Sequence, residues 1–142
     1  MLTDLKSLIE FASEQAEKIF RKQGVLYPLY HAIKRNGDTV ILTPEMENKD
    51  IGVAMVKAWF EIEDIDRYVF MNEAWILDDR KQTLPPQDWP KIQREGLRNH
   101  PDRREVILFA AENRRNELQT ATRYILRPES AKPKLSPHPG TR

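Results

Sequence analysis

Apolar positions change period several times along the chain, and each change marks an element. Between residues 4 and 23, Leu5, Leu8, Ile9, Ala12, Ala16, Ile19 and Phe20 recur at helical steps. Thr3 or Asp4 is placed to cap this helix, and Gly24 follows its end. The opposite face, with Lys6, Glu10, Glu14, Lys18 and Arg21, is solvated. The pattern then turns β-like. Val25 to Lys34 leads into Asn36-Gly37, and Thr39 to Thr43 returns. Asn-Gly supplies the positive φ angles of a type I′ hairpin. Pro28 cannot donate to a ladder, so the first strand starts late or lies at an edge.

Residues 49 to 63 predict a second helix, with Asn48 as its cap. One stripe holds Ile51, Ala54, Met55, Ala58 and Ile62; a second, nearly opposite, holds Val53, Val56 and Phe60. A helix apolar on two sides is covered on two sides. The sheet supplies one cover, and the first helix or another copy of the chain the other. Residues 67 to 77 then predict a long strand. Tyr68, Phe70, Ala74 and Ile76 point one way and Val69, Met71, Trp75 and Leu77 the other, so the strand is central in its sheet or covered on both sides. Pro85, Pro86, Pro90 and Pro101 break up residues 78 to 102, a long loop with room for a short helix starting at Asp88-Trp89-Pro90. Glu105 to Ala111 and Leu118 to Leu126 predict two more strands around a polar turn, Asn113 to Glu117. The expectation is one α+β domain over residues 1–128, ordered α-β-β-α-β-β-β with a mainly antiparallel sheet. Residues 129–142 read as a flexible proline-rich tail.

Composition narrows the function classes. The 142 residues suit one domain. With 23 basic and 22 acidic residues, the net charge of +1 gives no global field for nucleic acid or an anionic membrane. The absence of cysteine excludes disulfides, thiolate zinc sites and cysteine nucleophiles. No apolar run approaches the ~20 residues that span a bilayer, and Met1-Leu2-Thr3-Asp4 does not read as a secretory leader. A cytoplasmic protein without a membrane partner is expected. No Gly-rich phosphate loop, Gly-x-Ser-x-Gly elbow or His-Glu-x-x-His helix is present, and no cofactor or metal is expected.

Three groups of residues remain as candidates for chemistry. Glu73 falls between Met71 and Trp75 on one strand face, and a carboxylate in apolar company can serve as an acid or base, with His31 or His100 as its partner. The competing reading pairs Glu73 with an arginine of a neighbouring strand, such as Arg123, or turns it to water. His100-Pro101-Asp102 also marks J-domain cochaperones, but there it sits between helices, whereas a strand follows here; it reads as a turn. Lys91, Arg94, Arg98, Arg103 and Arg104 against Glu95 and Asp102 leave a local +3 (five bases, two acids), and with Trp89 form a candidate nucleic-acid contact. Finally, Val53, Val56, Trp59 and Phe60 form a candidate protein interface.

The run Arg67-Tyr68-Val69-Phe70-Met71-Asn72-Glu73-Ala74-Trp75, with His100-Pro101-Asp102-Arg103-Arg104-Glu105-Val106, resembles a family of small bacterial and phage-associated proteins. The resemblance implies a bacterial setting and carries no assigned activity. The element order is similar to roadblock and profilin-like domains, scaffolding folds that often pair through the second helix and middle strand. The leading expectation is therefore a non-catalytic interaction or assembly module, with self or another protein as partner. A nucleic-acid accessory protein and a small acid/base enzyme are the alternatives.

Overall fold

A computed structural model describes residues 4–44, 47–77, 103–127 and 133–137. Among them the chain forms α1 (Leu5–Gln23), β1 (Leu29–Lys34), β2 (Thr39–Leu42), α2 (Lys49–Ile62), β3 (Ile65–Leu77), β4 (Arg103–Asn113), β5 (Leu118–Leu126) and β6 (Lys134–Leu135). The expected α+β class and the first seven elements hold. The eighth lies in the segment read as a flexible tail: Leu135 and Lys134 pair with Ile125 and Leu126. The strands form one antiparallel sheet in the order β2-β1-β3-β4-β5-β6.

Helix α1 is bounded as its sequence requires. The Ser7 N–H donates to Asp4 Oδ1 at 2.7 Å, and the Ser7 side chain together with this N–H holds the Asp4 carboxyl below its usual range. Gly24 stops the helix at φ 74, with its N–H donating to the Phe20 carbonyl at 2.7 Å. The apolar stripe, including Leu8, Ile9, Ala12, Ala16 and Phe20, packs against Val69 and Met71 of β3, Ile107 and Phe109 of β4, and Ala121 and Ile125 of β5. Phe20 and Phe109 are the largest side chains fully buried there.

Both short hairpins close with the same turn. Lys34 N–H donates to the Asp38 carbonyl and Gly37 N–H to that of Lys34; Asn113 N–H donates to the Glu117 carbonyl and Asn116 N–H to that of Asn113. Gly37 (φ 95) and Asn116 (φ 62) take the single left-handed position that each turn needs. The Asn36-Gly37 turn is thus not type I′, which requires positive φ at both residues; Asn36 instead accepts the Asp38 N–H on its side-chain oxygen at 2.9 Å.

The turn between α2 and β3 is tied to both hairpin tips. Asp64 sits at φ 51. Its carboxylate meets Arg114 and Arg35, and its carbonyl accepts the Arg35 N–H at 3.0 Å. Helix α2 lies on the face of the sheet opposite α1. Side chains alternate across a strand, so Tyr30 and Tyr68, which meet Phe60 of α2, point away from Val69 and Met71, which meet α1. The first helix therefore does not cover the second.

Replacing Phe109 with Ala removes the central side chain of the α1 face. Chemical denaturation should show a loss of about 3–5 kcal/mol in unfolding free energy, with an unchanged fold by circular dichroism.

Candidate interaction surface

A helix turns about 100° per residue, so the two apolar stripes of α2 cannot both face the sheet. Aromatic packing decides which one does. The Phe60 ring lies 4.8 Å from Tyr68 and 5.9 Å from Tyr30, and Tyr30 lies 4.5 Å from Phe70. Trp59 packs beside Phe60 at 5.4 Å. Burial holds the Tyr30 phenol above its ordinary pKa. Burial and the Glu112 carboxylate push that of Tyr68 up to about 12, so this cluster stays uncharged near neutrality. Of the four interface residues expected from sequence, Phe60 packs on the sheet, Trp59 and Val56 are half-buried, and only Val53 stands exposed.

The exposed stripe is the other one. Ile51, Ala54, Met55, Ala58 and Ile62 are all exposed, with Ile62 at 80% and Met55 at 41%. Asn48 caps this helix, accepting the Ile51 N–H at 3.2 Å, and Asp50 in the first turn suits the helix dipole. The stripe is thus displayed on a capped, aromatic-anchored helix. Four of its five members also pair about its centre, and the mirror position of Ala54 is Trp59, outside the stripe. About a point midway between Val56 and Lys57, Ile51 mirrors Ile62 and Met55 mirrors Ala58.

Glu73 and His31 are not brought together. His31 faces Val69 across β1 and β3, and Glu73 lies four residues further along, about 13 Å at 3.3 Å per residue. Glu73 Oε2 accepts the Leu26 N–H at 3.1 Å and so fixes the chain entering β1. It borders a shallow recess of 290 Å³ with Trp75 and Glu105. Glu105 is paired with Arg127. Arg123, the alternative partner of Glu73, instead meets Glu17 of α1 at 2.6 Å. His31 is buried at 8% exposure, its ring edge-on to Phe11 at 4.8 Å. Its Nε2 has no hydrogen-bond partner among the described residues, and burial holds its pKa below the ordinary 6.5.

Trp89, Lys91, Arg94, Arg98 and His100 lie outside the described residues. Arg103 and Arg104 open β4, where the first guanidinium sits 5.7 Å from the Trp75 ring centre and the second 4.7 Å from that of Tyr124. Among the described residues no cluster of three or more acids and histidines could hold a metal, and no helix is long and apolar enough to cross a membrane. Comparison with protein-family models, curated proteins and solved structures finds no match.

Two predictions separate structural from chemical roles. Glu73→Gln keeps an oxygen for the Leu26 N–H and should leave stability within about 0.5 kcal/mol, whereas Glu73→Ala orphans that donor and should cost about 1–3 kcal/mol in urea denaturation. Burial disfavours the charged form of His31 in the folded chain, so as pH falls through 6.5 the unfolded chain binds the proton first. Stability should be full above pH 6.5, fall as pH drops through that value, and level off below the folded pKa. His31→Leu should flatten this part of the profile.

Proposed function

We propose that the protein is a non-catalytic interaction module that pairs with a second copy of itself through the exposed stripe of α2. The supporting observation is that Ile51 and Ile62, and Met55 and Ala58, are placed symmetrically about the centre of an exposed stripe on a helix anchored by Phe60. A two-fold interface uses the same patch on both partners, so its residues must complement themselves when reversed. In an antiparallel pair of α2 helices, Ile51 meets Ile62 of the second copy and Met55 meets Ala58. Large then faces small at the middle, as close helix packing needs. The near-zero net charge opposes no such approach.

Magnitude sets the strength. A large aliphatic side chain gives about 1.5–3 kcal/mol on full burial, and Ile51, Met55 and Ile62 have roughly half or more of that left to gain in each copy. The gross gain is roughly 5–10 kcal/mol per pair, against an association cost of about 4–15 kcal/mol. At the favourable end the surplus is about 6 kcal/mol, so pairing with a dissociation constant of roughly tens of micromolar follows.

Sedimentation of the purified chain between about 1 and 200 μM tests this. The expected result is a reversible monomer–dimer equilibrium, abolished by Met55→Glu with Ala58→Glu while the circular dichroism spectrum is kept. Val53→Glu, on the other flank of the helix, should leave the equilibrium unchanged. A wild-type chain that stays monomeric across the range sinks the reading.

A further inference from the structure

Strand β6 is held by more than its length explains. It has two ladder positions, opposite Ile125 and Leu126. Beyond them, Ser136 N–H donates to the Tyr124 carbonyl at 2.8 Å, and Ser136 Oγ accepts the Tyr124 N–H at 2.9 Å. Arg123, only 3% exposed, donates from Nε to the Ser136 carbonyl at 2.8 Å and from Nη2 to the same oxygen. Its Nη1 reaches the Ser13 carbonyl at 3.3 Å, and its charge is met by Glu17. Leu135 enters the core under α1. A buried guanidinium, an apolar socket and a strand edge thus converge on one extended tripeptide.

We propose that the β5 edge with Arg123 is a strand-docking site, held in cis by Lys134-Leu135-Ser136, and that an extended segment of another protein chain takes it by exchange. The partner is a strand with leucine at the socket and no proline two residues later. Three features support this. Arg123 receives a main-chain carbonyl, so it reads extended backbone and accepts any residue there. Strand addition works this way: the main chain gives affinity, and pockets for alternate side chains give specificity. The cis strand is also short. Continuing the antiparallel register brings Pro137 opposite Arg123, and proline has no N–H to pair. Among the described residues no strand pairs with Gln119–Thr122 on that side, so a longer foreign strand gains bonds the cis segment cannot make. Lastly, β6 lies at the sheet edge with only two ladder positions, so it can be released without breaking the ladder from β1 to β5.

The test uses the full chain and a fluorescent peptide, Pro-Lys-Leu-Ser-Thr-Val-Thr-Val, which continues as a strand where the chain has Pro137. Anisotropy should show binding to the wild type and binding about tenfold tighter or better to Leu135→Asp, in which the cis competitor is unseated. The same peptide with aspartate for leucine should not bind. Hydrogen exchange on the wild type keeps the test independent of whether that variant folds. The Ser136 amide should exchange at least about a hundredfold faster than those of Met71 and Phe109. Absence of binding to the wild type and to any folded variant at about 1 mM peptide overturns the proposal, millimolar being the range in which a short tether sets its own effective concentration. Ser136 exchange as slow as the core also overturns it, since β6 is then released only by global unfolding.

Discussion

The antiparallel pairing of β3 with β4 is the constraint from which the other contacts follow. It runs without a break through eleven residue pairs, from Arg67 opposite Asn113 to Leu77 opposite Arg103. One face of this ribbon presents Val69, Met71, Ile107 and Phe109, all fully buried under α1. The other presents Tyr68 and Phe70 to the aromatic cluster that seats α2. One edge carries the β1–β2 hairpin and the other carries β5, with β6 beyond it. A one-residue slip would exchange the two faces, sending aromatics under α1 and aliphatics toward α2. Register is therefore fixed from both sides at once.

Much of this frame was legible in the sequence, because it is written in local periods. The α1 stripe, the Asp4 and Gly24 boundaries and the two-sided apolar character of residues 67–77 needed no knowledge of distant partners. Helix α2 was legible as an element, but not in orientation. Two stripes of similar apolar content compete for one sheet, and periodicity does not rank them. Tyr30 and Tyr68 break the tie, because their rings accept Phe60. The Asn36-Gly37 turn was misread for a similar reason. The dipeptide suits a two-residue loop, but the ladder stops at Lys34 and resumes past Asp38, so glycine alone takes the left-handed position.

The rest depends on contacts far apart in the chain. Lys134-Leu135-Ser136 holds one apolar residue in a proline-rich setting, and nothing local marks it as a strand. Its order comes from Arg123, whose guanidinium would otherwise be buried short of acceptors. Sequence reading offered Arg123 only as a partner for Glu73. Their positions explain why that pairing fails: both lie opposite Ile107, one on each side of it, and each already has a nearer acceptor or donor in Glu17 or Leu26. Glu73 receives a backbone N–H where the chain turns into β1, a contact that no local period shows.

Placement separates the two surfaces. The stripe of α2 stands over β1 and β3, whereas β6 lies at the far edge, four strand steps from β1 and roughly 19 Å away at 4.8 Å per step. Leu135 enters on the α1 side of the sheet, and α2 sits on the other. Pairing through α2 therefore leaves the β5 edge open, and exchange at β5 does not touch the aromatic seat of α2. The two proposed surfaces do not overlap, so a pair of copies joined through α2 would carry two strand-docking edges, one on each copy. Such a pair would hold a partner carrying two strands with an avidity that depends on the spacing of the two edges as well as on each contact.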